Sequence, residues 1–159
     1  EPEIGSEKAG PSLSLACLST HDLPPLLGWW RADDIDFAKE QGFLDAETEG
    51  RVRAERRQRK TELLQAAASA GVLPDLGQAD VDEDIPAPDI VVGLHRLLSR
   101  TDRLLVAVRL ADMVGEARST NVPGTHDEYP NWRLKLDVSL EEIPAVQTFR
   151  AIADAMRAG

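Results

Sequence analysis

The side chains best suited to chemistry are His21 and Asp22, adjacent in the stretch Leu18-Ser19-Thr20-His21-Asp22-Leu23-Pro24. An imidazole beside a carboxylate can bind hydroxyl groups and stabilise a developing positive charge. The competing bland reading is local, with Asp22 capping a turn and His21 bonding nearby backbone. A second irregular stretch, Asn121-Val122-Pro123-Gly124-Thr125, supplies an amide that both donates and accepts. Its own bland reading is an amide that satisfies its loop backbone. Tyr129-Pro130-Asn131-Trp132-Arg133 follows closely, with Asn131–Arg133 read as the entry to the last helix and Trp132 as a core wedge in preference to a ligand-stacking face. Trp29 and Trp30 offer flat faces for ligand stacking, although core packing claims at least one of them and Trp29 is the candidate ligand contact.

These groups need elements to hold them. Leu13, Leu15, Cys17 and Leu18 predict a strand over Ser12–Ser19 that delivers His21 and Asp22 to its C-terminal end. That end is where α/β folds, and parallel barrels above all, keep their chemistry. Leu26–Trp30 reads as an apolar turn or short helix behind Pro24-Pro25. Asp33 and Asp34 are expected to cap a helix that ends near Gly42, and Asp45 to open a longer one stopped by Gly71 and Pro74. Pro88 begins a helix with Ile90, Leu94, Leu97 and Leu98 on one face, leaving His95 as a surface residue. Arg103–Leu110 predicts a second strand, and its near-continuous apolar run predicts cover on both faces. Ser139-Leu140-Glu141-Glu142 is a capping-box pattern leading into a helix from Ile143 to Met156. Residues 1–11 read as a mobile lead-in, and residues 75–89 as an acidic loop.

Composition excludes more than it selects. A formal net charge of −10 over 159 residues disfavours nucleic acid and anionic membranes as partners. Cys17 is the only cysteine, so neither an intrachain disulfide nor a thiolate metal cluster can form, which suits a cytoplasmic protein. No run approaches the roughly 20 apolar residues of a membrane span. His126-Asp127-Glu128 lacks metal-ligand spacing and reads as a solvated turn. The basic run Arg51–Lys60 reads as a salt-bridged face whose nearest acidic partner is the 80–84 loop; docking of an acidic protein by a small helical module is its rival.

In order and separation, Ser19–Pro24, Leu27–Trp30 and Asn121–Arg133 resemble the C-terminal part of 4-α-glucanotransferases, also called amylomaltases or disproportionating enzymes. The resemblance runs from about Ser12 to the chain end, with Pro25 standing where the family usually has Thr. It implies an α/β fold, the C-terminal portion of a TIM (β/α)8 barrel with a helical insertion, in which residues 12–159 supply about strands seven and eight. It also implies transfer of α-1,4-glucosyl or maltooligosyl units between maltodextrins, with no metal and no organic cofactor. In such a retaining double displacement two carboxyl groups about 5–5.5 Å apart make and resolve a glycosyl-enzyme. Asp22 matches a third carboxylate that stabilises the distorted sugar, His21 its neighbouring histidine, and Asn121 and Trp29 are the substrate-binding candidates. The nucleophile and acid/base have no counterpart in this chain.

Two parallel strands cannot close a barrel, so the chain is expected to be a piece of a longer enzyme, inactive alone, whose partners are the maltooligosaccharide substrate and the rest of the barrel. A hydrolase or branching enzyme of the wider α-amylase clan is the nearest enzymatic alternative.

Overall fold

The computed structural model describes residues 13–74 and 81–157. The expected lead-in at 1–11 and the first part of the acidic loop, 75–80, lie outside the described residues.

Two short strands, β1 (Leu15–Ala16) and β2 (Leu105–Val106), pair in parallel with Leu15 opposite Leu105 and Ala16 opposite Val106. The ladder is carried by Leu105 N–H donating to the Ser14 carbonyl (3.2 Å) and Ala107 N–H to the Ala16 carbonyl (2.9 Å). Both strands are shorter than Ser12–Ser19 and Arg103–Leu110, because regular pairing ends where the chains diverge toward their loops. The expected cover on both faces is also corrected. Leu13, Leu15, Leu104 and Leu105 are all exposed, so among the described residues nothing covers that part of the pair.

Between the strands run the helices that a parallel crossover requires. Helix α1 (Leu26–Arg31) starts after the buried Pro25, whose fixed φ suits the position before the first turn. Ala32, in the left-handed region at φ 65°, ends α1 and stands directly before α2 (Asp33–Glu40). No side chain caps α2; Asp33, Asp34 and Asp36 instead lie in its first turn, where the helix dipole favours negative charge. Helix α3 (Ala46–Ser69) is capped by Asp45, which accepts from Thr48 N–H at 2.7 Å. Leu64 and Ala67 of α3 are buried against Leu26, Trp30, Val72, Val81, Ile90 and Leu94.

The basic run is salt-bridged as expected. Arg51 pairs with Glu55, Arg53 with Glu49 and Asp36, Arg59 with Glu62, and Arg57 reaches Asp82. Lys60 departs from that face. It is buried, donates to the Val81 carbonyl at 3.2 Å and lies 5.0 Å from the Trp30 ring, and burial pushes its pKa down.

Helix α4 (Pro88–Ser99) packs along the last helix, α6 (Gln147–Arg157), whose Ile152 and Ala155 are buried. The expected continuous helix from Ile143 is broken into a 3-10 turn, Ile143–Ala145, and α6; Pro144 cannot donate and Val146 turns extended at ψ 123°. The expected capping box forms only in its reach-back half: Ser139 N–H donates to Glu142 Oε2 at 2.9 Å, but the Ser139 hydroxyl also donates to that carboxylate, at 2.8 Å, and does not cap a backbone N–H. His95 is corrected from surface to core, at 1% exposure. Among the described residues no helix is long and apolar enough to cross a membrane.

Candidate active site at the ends of the strand pair

After β1 the chain makes a turn over Thr20–Leu23, closed by Leu23 N–H donating to the Thr20 carbonyl at 3.2 Å. His21 and Asp22 occupy its two corners. Both side chains therefore point outward together rather than to opposite faces, as they would along a strand. His21 Nε2 lies 3.3 Å from Asp22 Oδ2, and the side chains are 58% and 47% exposed. A carboxylate this open keeps lone pairs free for ligand hydroxyls.

After β2 comes the five-residue helix α5 (Leu110–Val114) and then the second irregular stretch. Asn121 crosses from there, its Nδ2 donating to Asp22 Oδ1 at 2.7 Å. Its amide thus does not satisfy its own loop; Asn131 does that instead. Asn131 Oδ1 accepts from Val122 N–H at 2.8 Å, and its Nδ2 donates to the Thr125 carbonyl and hydroxyl at 3.1 and 2.9 Å. Tyr129 adds a bond from its hydroxyl to the Ser119 carbonyl at 2.8 Å.

Trp132 is the residue the sequence reading misjudged. The expectation was a core wedge at the start of the last helix. The ring is instead 63% exposed and tilted against His21, with 5.2 Å between centroids, and the last helix begins at Gln147. Its backbone is left-handed at φ 62°, an uncommon state for a bulky residue, and its N–H donates to the Thr120 carbonyl at 2.9 Å. A tryptophan following a Pro-Gly turn at such a distance does not announce itself as exposed; the nearest usable signal was the scarcity of apolar residues around it.

Trp29 sits elsewhere. It is half-buried on α1, edge-on to Trp30 at 6.3 Å, and the Arg56 guanidinium lies 4.6 Å from the centre of its ring. The same Arg56 grips Asp34 through two bonds of 3.0 and 2.8 Å and donates to the Trp29 carbonyl. Trp29 lines a cavity of about 930 Å³ with Leu18, Leu23, Pro24, Ile35 and Val52, a cavity that His21, Asp22 and Asn121 do not line. Trp30 is fully buried and donates to the Glu83 carbonyl at 3.1 Å. His126 is an exposed turn residue beside Asp127, as expected. Among the described residues no group of His, Cys, Asp and Glu is arranged to hold a metal ion.

Beneath the exposed cluster lies a buried polar layer that the sequence did not reveal. Asp112 accepts from Leu26 N–H at 2.6 Å and from the Ser19 hydroxyl at 3.3 Å, and burial pushes its pKa up. His95 Nδ1–H donates to the Val91 carbonyl at 2.8 Å, leaving Nε2 buried with no partner. Burial therefore pushes the His95 pKa down and keeps the ring neutral. Gly28 lets α1 approach this layer, since a Cβ there would stand 2.1 Å from the Ala117 carbonyl oxygen.

A polar cluster at the carboxyl ends of adjacent parallel strands is the arrangement of α/β enzymes. The comparisons with known proteins agree. A family profile described as 4-alpha-glucanotransferase matches residues 4–140. The 4-alpha-glucanotransferase of Mycobacterium tuberculosis (strain ATCC 25618 / H37Rv) is 35% identical over 150 residues, covering 91% of this chain and 20% of that protein. That of Haemophilus influenzae is 28% identical over 142 residues, covering 87% and 20% respectively. The crystal structure of amylomaltase from Corynebacterium glutamicum superposes with a TM-score of 0.78 at 32% identity, covering 89% of this chain and 21% of that one. The chain belongs to the 4-alpha-glucanotransferase family, and it spans about 20% of the length of the curated relatives it matches.

Proposed function

We propose that this chain is the C-terminal segment of a cytoplasmic (β/α)8 enzyme that moves α-1,4-linked glucosyl or maltooligosyl units between maltodextrins. The observation that carries the reading is the convergence of Asp22, His21 and Asn121 on one carboxylate from segments 99 residues apart, in a chain of this family. Residues 12–159 would contribute the last two strands, and the exposed row Leu13, Leu15, Leu104 and Leu105 is where the remaining barrel would cover them.

In this mechanism Asp22 does not attack the sugar. Its two oxygens accept from ring hydroxyls, interactions that strengthen as the ring flattens toward an oxocarbenium ion. His21 hydrogen-bonds the same sugar, and Asn121 holds the Asp22 carboxylate still while that happens. The bond-making carboxylates belong to the rest of the barrel, so this segment alone is inactive. Localisation in a reducing compartment is supported by the lone half-buried Cys17. The interaction-module alternative is disfavoured by α3, whose arginines are taken by acids of this same chain.

Glucose release from maltotriose by the full-length enzyme, measured beside Asp22→Asn, tests the reading. Disproportionation that falls by about 10² or more in a folded variant supports it. Unchanged activity in Asp22→Asn removes Asp22 from the site, and hydrolysis without transfer moves the enzyme into the wider α-amylase clan.

A further inference from the structure

One guanidinium bonds to both loops of the candidate site. Arg109 lies past the end of β2, immediately before α5. Its Nη1 donates to the Thr20 carbonyl at 2.8 Å and to the Leu23 carbonyl at 2.9 Å, the first and last residues of the turn whose corners are His21 and Asp22. The Ser19 hydroxyl lies 3.1 Å from the same nitrogen and hands the chain of bonds on to buried Asp112. Nη2 points the other way, to Thr120 Oγ1 at 3.3 Å. Thr120 precedes Asn121, which holds Asp22, and its carbonyl accepts from Trp132 N–H.

We propose that Arg109 is a positioning residue that sets the angle and spacing between the His21–Asp22 turn and the Asn121–Trp132 loop, and thereby the reach of Asp22 toward the bound sugar. The catalytic consequence rests on the functional reading above; the positioning does not. The two terminal nitrogens of a planar guanidinium reach the turn and Thr120 of the facing loop at once and at fixed angles, which a single ammonium on a flexible stem cannot. The bonds are part-buried or at the protein surface, and two of them end on backbone carbonyls. Side-chain variation at positions 20 and 23 therefore leaves those two acceptors in place, whereas loss of Arg109 removes all of its own bonds at once and leaves Asn121–Asp22 to hold the loops together. Asp112 and Ser19 anchor the assembly from below.

The test uses the full-length enzyme with Arg109→Met, Arg109→Lys and Thr120→Val. Thr120→Val removes one acceptor while leaving the turn bonds, so it stays folded if Arg109→Met does not. With maltotriose as substrate, Arg109→Met is expected to lower kcat about 10²-fold, since a misplacement near 1 Å is enough for such a loss. Arg109→Lys restores part of it, and Thr120→Val shows a smaller fall in kcat with KM little changed. Combined with Asp22→Asn, Arg109→Met adds less than about threefold, because two residues acting through one carboxylate are not additive. A second readout does not depend on the reaction: the ring resonances of ¹³C-labelled His21 shift in Arg109→Met and return toward the parent in Arg109→Lys. An Arg109→Met enzyme with unaltered kcat, or its full loss repeated on top of Asp22→Asn, overturns the proposal. If the unaltered enzyme does not act on maltotriose, the functional reading falls and the His21 resonances alone decide: unmoved resonances in Arg109→Met overturn the positioning role.

Discussion

Asn121 donates its amide to Asp22 Oδ1 at 2.7 Å while Asp22 Oδ2 faces His21 Nε2 at 3.3 Å, so the two oxygens of one exposed carboxylate are held by different loops. A hydrogen bond to a charged group is worth about 1.5–3 kcal/mol when enclosed, and this one is open to water, so the lower end applies. Asn121→Ala is expected to reduce transfer about tenfold, mainly in kcat. Asn121→Asp, which sets two carboxylates face to face, should be worse than Asn121→Ala. Steady-state disproportionation assays on both variants check the order; Asn121→Asp equal to the parent would dissolve the relationship.

Trp132 combines an exposed ring with a left-handed backbone. Strain of that kind costs about 1–3 kcal/mol, and glycine carries none of it. Trp132→Gly should therefore melt no lower than Trp132→Ala, and above it if nothing else changes, while both lose the ring beside His21 and bind glucan more weakly. A differential melting scan paired with KM values would reveal this; identical KM in all three proteins would show that the ring does not meet substrate.

The buried His95 makes stability depend on acid. Its folded pKa lies below the ordinary 6.5, so between those values the unfolded chain binds a proton that the folded chain refuses. That contribution is intact above about 6.5 and is lost as pH falls toward the depressed value. Asp112 works in the opposite sense, since its raised pKa lets the folded state take up a proton at a higher pH than the unfolded chain does, which adds stability as pH falls. The first loss on leaving neutral pH is therefore the one from His95. His95→Leu should flatten the melting temperature between pH 7 and 5; a parent already flat over that range would contradict the buried neutral ring.

Gly28→Ala adds one methyl group, yet that group meets the Ala117 carbonyl oxygen at 2.1 Å. Overpacking against backbone costs about 1–3 kcal/mol, more than the roughly 1 kcal/mol that alanine gains over glycine in a helix. Denaturant unfolding of the full-length enzyme should show a net loss. A gain would mean that the Glu116–Ser119 segment gives way easily.

How much of this was legible beforehand depended on the range of the interaction. Asp45 as a cap and Pro88 at a helix start follow from local rules, whereas the parallel pairing of two distant apolar runs was implied by the family resemblance, and the structure carries each of them. Strand length was not legible, because apolar runs record burial and not hydrogen bonding: only Leu15–Ala16 and Leu105–Val106 pair. His95 failed for a related reason. Flanked by Leu94 and Arg96 it reads as amphipathic surface, and only the packing of α4 on α6 and the nearby Asp112 bury it. His21, Asp22 and Asn121 were singled out by their motifs, and the structure brings the three side chains together, but the bond between Asn121 and Asp22 spans two distant loops and was not legible. Arg109 was not singled out, although an arginine near the end of an apolar strand run was itself a signal.

The arrangement of α3 bears on how such chains can diverge. Between Asp45 and Arg59 its arginines pair with acids of its own turns, with Asp34 and Asp36 of α2 and with Asp82, while Arg56 also reaches the Trp29 carbonyl and ring on α1. The charge of this α2–α3 hairpin is thus neutralised from within the chain, and its tie to the rest of the fold runs through Arg56. A change in its length by whole turns is expected to be felt first at α1, through Trp29, and not at His21, Asp22 or Asn121, which do not line the cavity it borders.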